Sequence, residues 1–338
     1  MTAFPTIDAF EAALADLRAP DPAAAAAASA RQAQLTKPAG SLGRLEDIAI
    51  FFAGWQGREK PRINRARVAV FAGNHGVTAH GISAFPTSVT GQMVDNFKAG
   101  GAAINALSAA AGLELSVVAI DLDRPTADFT AAAAMDAGDC LDALNAGAAT
   151  VTGDLDMIVP GEMGIGNSTA AAALCARSLD GAVSDWVGPG TGVDAEGVAR
   201  KVGVVERALA VHDYAARSAF ETLRRVGGRE IAAIAGAVLR ARQLGVPVLL
   251  DGFIGCAAIA PLAADNPAIT AHCLAGHCSA EPGHRRLLDI LGLDPLLSLD
   301  MRLGEASGAA VAASIVRAAL AAHGEMATFA EAAVAGAT

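Results

Sequence analysis

Three short segments hold residues whose types and spacing could do chemistry. The first is GEMGIGNST, residues 161–169. Gly164 and Gly166, with Ile165 between them, let the backbone approach a ligand closely. Asn167, Ser168 and Thr169 fall where a following helix would present free N–H groups, which makes a cradle for a phosphate. No Lys follows the second Gly, so this is not a lysine-bearing P-loop. The same pattern also describes an ordinary strand-to-helix turn with a Ser/Thr cap. The second segment is VGPGTGVDAEGVARK, residues 187–201, where Gly188, Gly190 and Gly192 follow an apolar run and Lys201 lies a short helix further on. Two Gly-rich strand ends with a nearby Lys suit a mononucleotide; a surface helix lysine is the other reading of Lys201. The third, MRLGEASG at 301–308, sets Glu305 among Met301, Leu303 and small residues. A carboxylate in apolar surroundings has its charged form disfavoured and its pKa raised, as a general base near neutral pH requires. Glu305 could equally be a first-turn acid favoured by a helix dipole. Glu162 is a second carboxylate, and two of them facing one pocket could orient a substrate and take a proton.

Two further groups invite attention. His75, in AGNHGV, reads as an acid/base candidate or as a structural hydrogen-bonder in a Gly turn. His272, Cys273, His277 and Cys278 resemble a metal cluster. On one strand, however, His272 and His277 would face opposite sides, so no metal is expected there. G-x-G-x-x-G after the first strand and G-x-S-x-G are both absent, which disfavours a dinucleotide oxidoreductase and an α/β-hydrolase. The acidic-pair-then-TG loop of enzymes using phosphoribosyl pyrophosphate with Mg²⁺ is absent too.

The elements that must position these residues show a repeating texture from residue 67 onward. Apolar β-branched runs end in Gly-rich turns and lead into Ala-rich helical stretches. They are 67–73, 115–123, 156–164, 184–190, 246–253, 269–279 and 296–305. The pattern predicts an α/β fold: a Rossmann-like, mostly parallel sheet with helices on both faces. In such sheets ligands bind beyond the carboxyl ends of the strands, where the unusual residues fall. Residues 7–17 and 23–35 read as helices, as does a segment starting at Ser41 or Gly43 with Leu45, Ile48 and Phe52 on one face. The tail, 307–338, is again helical and Ala-rich.

Of the 338 residues 53% are apolar and 18% charged, enough for a buried core and against disorder. Aromatics are only 4%, while Gly numbers 36 and Ala is roughly a quarter of the chain, which calls for close backbone packing. The net charge of -10 disfavours a nucleic-acid partner. Mean hydropathy is +0.40, yet Gly, Pro or charge interrupts every apolar run, so no membrane span is expected. The start, MTAFPTIDAF, lacks a positive region ahead of an apolar stretch, and no signal peptide is expected. Five cysteines without CxxC suggest a reduced, cytoplasmic protein.

Taken together, KPAGSLGRLE (37–46), NHGVTAHGISAFPTSVTGQMVDNF (74–97), GEMGIGNST, GTGVD (190–194), LLDGF (249–253), HCSAEPGH (277–284) and MRLGEASGAA (301–310) resemble one family. It is the nicotinate-nucleotide–dimethylbenzimidazole phosphoribosyltransferase family of cobalamin biosynthesis. The matches run in order over nearly the whole chain.

The resemblance implies transfer of the 5-phosphoribosyl group of nicotinate mononucleotide to 5,6-dimethylbenzimidazole, without cofactor or metal. It implies a large α/β nucleotide- and base-binding domain over 61–305, a small helical domain from 1–60 and 306–338, and a homodimer. Glu305 would be the catalytic base and Glu162 the second catalytic carboxylate. Gly164, Ile165, Gly166, Asn167, Ser168, Thr169 and Gly190 would hold the nucleotide, with Lys201 as countercharge. Asp251, Gly252 and Ser279 would line the same site. Phe85, Met93, Met163 and Leu303 would wall the base. The chain has Asn74 where many relatives carry Asp, and Ser168 where Thr is common. Two rivals remain: transfer to another base (adenine, a phenol or another benzimidazole), and a non-catalytic nucleotide- or benzimidazole-binding protein.

Overall fold

The computed structural model describes residues 2–335. The chain opens with α1 (Ile7–Ala15), α2 (Pro22–Gln32) and α3 (Arg44–Gln56). It continues through β1 (Ala66–Ala72), α4 (Ser88–Ala99), α5 (Ala103–Ala111), β2 (Glu114–Ala119), α6 (Ala137–Ala149) and β3 (Met157–Met163). Then come α7 (Asn167–Ser178), α8 (Ala195–His212), α9 (Ala219–Val226), α10 (Arg229–Leu244), β4 (Val248–Leu250) and α11 (Phe253–Asp265). It closes with β5 (Cys273–His277), α12 (Pro282–Leu291), β6 (Pro295–Leu297) and α13 (Ser307–Glu325).

Among the described residues the strands form one six-stranded sheet in the order β2-β1-β3-β4-β5-β6. Every pairing is parallel. Side chains alternate between the two faces, as pleated strands require. Ala69, Phe71, Ile158, Val248 and Leu250 enter one core with α6, α7, α9, α10 and α11. Val68, Val70, Met157, Val159 and Leu249 enter the other with α3, α5 and α13. Apolar burial on both faces is why these strands read as near-continuous hydrophobic runs.

Small residues set the spacing between layers. Where α6 crosses α10, a Cβ on Gly147 would collide with the Ala233 carbonyl, and one on Gly236 with the Leu144 carbonyl. Neither obstacle is a flexible side chain. Gly236→Ala is therefore expected to destabilise the chain by about 3 kcal/mol or more through overpacking. The denaturant midpoint measures it, and an unchanged midpoint contradicts this packing.

Two expected strands need correction. Residues 184–190 do not pair: Val183–Asp185 is a 3-10 turn and the chain then runs as a loop. Trp186 drops into the main core there, under the Arg286 guanidinium at 5.1 Å, while Pro189 offers no ladder N–H and the flanking glycines weaken a strand. The run 296–305 contributes only its first residues to β6, which ends at Leu297. Positive φ at Asp300 and Gly304 takes the rest out of the sheet. The tail is helical to Glu325; the expectation for 336–338 lies outside the described residues.

Candidate active site

Ile158 pairs with Val248, so β4 ends at Leu250, level with Pro160, and the last residues of β3 run on beyond it. A cleft lies over the carboxyl ends of β3, β4 and β5. It flanks the point between β1 and β3 where the strand order reverses, β1 leading out to β2 and β3 to β4, the usual ligand position in such sheets. Of the residues singled out in the sequence, Glu162, Met163, Ile165, Gly166, Asn167, Ser168, Gly190, Asp251, Gly252, Ser279 and Leu303 lie on its wall. Gly164, Thr169, Lys201, Glu305, Phe85 and Met93 do not.

At one end of the cleft a helix N-terminus meets a buried lysine. Gly166, at φ +92, turns the chain into α7, whose first residues Asn167 and Ser168 lie on the cleft wall, while the Asn167 and Thr169 N–H groups donate to the Gly164 and Gly166 carbonyls. Lys201 reaches in from α8 behind Ser168: its Nζ donates to Ser168 Oγ at 2.9 Å and to the Gly188 carbonyl at 2.7 Å. Burial pushes its pKa down to about 8, against the pull of Glu281. Glu281, which the sequence places at a strand end without a role, lies on the wall with its carboxylate near Lys201, Arg302 and the Gly190 N–H. Thr169 is fully buried and its Oγ1 has no protein partner.

The other end is acidic. The β1–β3 register sets Glu162 opposite Phe71, at the mouth of the sheet. Asn167 Nδ2 donates to Glu162 Oε2 at 2.5 Å. Burial raises the Glu162 pKa to about 8; Glu230, Asp251 and Glu305 push the same way and Asn167 opposes. Between its ordinary value near 4.5 and about 8, the folded chain keeps a proton that the unfolded chain has lost. Stability of the unliganded protein should therefore fall as pH rises through that window and level off above it. Glu162→Gln, neutral throughout, should lose that slope in thermal unfolding; a slope equal to wild type contradicts a protonated Glu162.

Glu305 stands beside that wall rather than on it. Its neighbour Gly304 is on the wall, at φ +83, and a Cβ there would strike the Glu162 carboxylate, so both backbone and space call for glycine. Glu305 and Ala306 follow at φ +63 and +69, a strained left-handed pair costing about 1–3 kcal/mol per residue. Glu305 is 5% exposed, its carboxyl is near the Ile104 N–H of α5, and its Oε2 lacks a protein partner. Burial raises its pKa. Of the four residues expected to wall the base, Met163 and Leu303 lie on the cleft wall, and Leu303 is 55% exposed. Phe85, 50% exposed, and Met93 on α4 lie off the wall.

His75 is a structural residue. Fully buried, its Nε2 meets Glu230 Oε1 of α10 at 2.6 Å, away from the cleft wall. Gly164 packs above that carboxylate, where a Cβ would come within 2.8 Å of Glu230 Oε1. His272 sits on a 3-10 turn, not on the strand, between the carbonyls of Ile269 and Val238 at 2.9 and 3.0 Å. His277 is on the cleft wall, 3.4 Å from Asp251. Among the described residues no three His, Cys, Asp or Glu side chains gather as metal ligands.

Comparison with known proteins adds the lineage. The sequence model of a family described as "Phosphoribosyltransferase" matches residues 17–334. The nicotinate-nucleotide–dimethylbenzimidazole phosphoribosyltransferase of Novosphingobium aromaticivorans is 70% identical over 335 residues, 99% of each chain. That of Mesorhizobium japonicum is 55% identical over 331 residues, 98% of each. The crystal structure of CobT from Thermus thermophilus superposes with a TM-score of 0.88 at 41% identity, covering 94% of this chain and all of that one. With the fold, these matches establish that the chain belongs to the nicotinate-nucleotide–dimethylbenzimidazole phosphoribosyltransferase family.

Proposed function

We propose that this chain transfers the 5-phosphoribosyl group of nicotinate mononucleotide to 5,6-dimethylbenzimidazole, yielding α-ribazole 5′-phosphate, for the lower ligand of cobalamin, and nicotinate. The observation that carries the reading is one cleft with a lysine-backed helix N-terminus at one end and buried carboxylates at the other. The relatives of this chain bear the name of that enzyme.

The chemistry divides along the cleft. The phosphate sits on the α7 N-terminus, Ser168 and Gly190, with Lys201 neutralising it from behind. The base lies against Met163 and Leu303. One base nitrogen attacks C1′ and forms the new bond. The bond from C1′ to the nicotinate nitrogen breaks, and its electron pair neutralises the pyridinium, so no acid is needed at the leaving group. The proton on the other base nitrogen passes to the Glu305 carboxylate. Attack from the face opposite nicotinate inverts the anomeric carbon from β to α. Holding the two reactants face to face supplies several kcal/mol of the barrier reduction, on the order of 7 or more.

The same reading makes the working protein a homodimer of the cytoplasm with small-molecule substrates. Among the described residues no helix is long and apolar enough to cross a membrane. A helical unit from 1–60 and 306–338 is supported by Arg31, which donates to the carbonyls of His323 and Met326 at 2.9 Å, and by a bridge between Leu35 and Thr328. Within it α1 also packs outward, Phe10 lying 6.2 Å from Phe220 of α9.

The test follows nicotinate release and the anomeric configuration of the product, with nicotinate mononucleotide, 5,6-dimethylbenzimidazole and no added metal. α-Ribazole 5′-phosphate is expected. Turnover only with adenine or a phenol would move the acceptor. Nucleotide binding without product would make this a binding protein.

A further inference from the structure

On the cleft wall, Asp251, Gly252, His277 and Ser279 form a third polar group, Asp251 close enough to Glu162 and Glu305 to raise their pKa values. A Cβ on Gly252 would lie 3.3 Å from His277 Nε2 and 3.8 Å from Ser279 Oγ, so these groups share one small stretch of wall. Behind them is His284 of α12, fully buried and without contact to the cleft.

The hydrogen bonds of His284 fix its tautomer. The backbone N–H of Ser279 points at His284 Nδ1 at 2.9 Å. An N–H can only donate, so Nδ1 carries no proton and acts as acceptor. The remaining ring proton is on Nε2, which faces Cys256 Sγ at 3.4 Å. Ser279 Oγ lies 2.9 Å from the same Nδ1. With no proton on Nδ1, a hydrogen bond across that 2.9 Å contact has the hydroxyl as donor, sharing the Nδ1 lone pair with the Ser279 N–H. The Ser279 proton is thereby turned away from the cleft, and only lone pairs of its oxygen are left for a ligand. Asp251 beside it is also an acceptor; its Oδ1 holds the Ala309 N–H at 2.9 Å and lies 3.4 Å from His277 Nε2. Burial pushes the His284 pKa down to about 3, in keeping with a neutral ring.

We infer that His284 is a positioning residue that locks Ser279 as an acceptor, so that Ser279 and Asp251 together form a subsite for a sugar hydroxyl of the ribosyl phosphate. The inference rests on the phosphoribosyl reading above. It divides the nucleotide residues by polarity. The anion binds at Ser168, Gly190 and Lys201, where donors converge. Two acceptors repel an anion and select a ligand O–H, so Asp251 and Ser279 hold the ribose. A site built to bond a hydroxyl rejects the analogue that lacks it, since its own buried acceptors are then left unpaired.

The experiment is calorimetric binding of nicotinate mononucleotide and of its 2′-deoxy and 3′-deoxy analogues, without acceptor base, alongside turnover of the parent nucleotide. Wild type should bind the parent at least about tenfold more tightly than one of the two analogues. Ser279→Ala should shrink that ratio severalfold, and so should His284→Leu. His284→Asn, whose amide oxygen can stand where Nδ1 stood, should restore it. A merely structural role for His284 weakens all three ligands equally and leaves the ratio unmoved. If His284→Leu does not fold, Ser279→Ala decides. A wild type that turns over nicotinate mononucleotide but binds both analogues equally well overturns the inference alone, as does a Ser279→Ala ratio equal to wild type. A wild type with no turnover and no nucleotide binding overturns the underlying reading, and the inference with it.

Discussion

Glu305→Gln should leave nicotinate mononucleotide binding nearly unchanged and lower kcat by about 10²–10⁴-fold, the usual share of a positioned proton acceptor. The substitution keeps the size of the side chain and an oxygen for the Ile104 N–H. It keeps the left-handed backbone at 304–306 as well, so the fold should survive. What it removes is a carboxylate whose Oε2 is buried without a protein partner, beside the wall formed by Gly304 and Leu303. The pH dependence has a definite sign. Burial raises the Glu305 pKa, and the group must be ionised to accept a proton. The acid limb of kcat/KM should therefore lie above the ordinary glutamate range, with the rate falling as pH drops through it. The variant should lack that limb. Turnover close to wild type would remove Glu305 from the role of base.

Lys201→Ala should raise the KM for nicotinate mononucleotide by about 10²-fold or more, since buried charge-assisted hydrogen bonds are worth about 1.5–3 kcal/mol each. Nicotinate riboside, which has no phosphate, should lose little. The contrast follows from where the charge sits. Nζ is held by Ser168 Oγ and the Gly188 carbonyl, behind the α7 N-terminus, with Glu281 as its carboxylate neighbour and not Glu162 or Glu305. Because burial brings the Lys201 pKa down to about 8, nucleotide affinity should also weaken as pH rises above about 8, where the free protein loses this cation. The sign is opposite to that of the Glu305 limb, so the two groups can be told apart in one pH series. Equal losses for nucleotide and riboside would place Lys201 elsewhere in the mechanism.

Much of this architecture was written locally. The run 156–164 became β3 and its Gly-rich end became the turn into α7, because strand, glycine turn and helix cap are all short-range preferences. Gly43 starts α3 as its sequence suggests, and Asp136 caps α6 through the Asp139 N–H at 2.7 Å. Local preference failed where packing outweighed it. Trp186 draws 184–190 into the core as a loop, and His272 ends on a turn, not a strand. Single-segment hydrophobicity carries no signal for either outcome.

The sequence by itself determined which residues could do chemistry and that a parallel α/β scaffold would gather them at the ends of its strands, since both follow from side-chain type and neighbouring residues. Only the tertiary structure decided what stands behind each one. Glu230 is 155 positions from the His75 it meets, and Lys201 is 33 from the Ser168 it supports. Glu281 reaches the anion end of the cleft from the start of α12, and His284 turns the Ser279 proton away from it. Such contacts depend on strand order and on the register of helices packed across a sheet, which no local pattern encodes. They set the protonation and orientation of Glu162, Ser279 and Lys201, because burial and hydrogen-bond partners, not residue identity, shift a pKa or aim a proton.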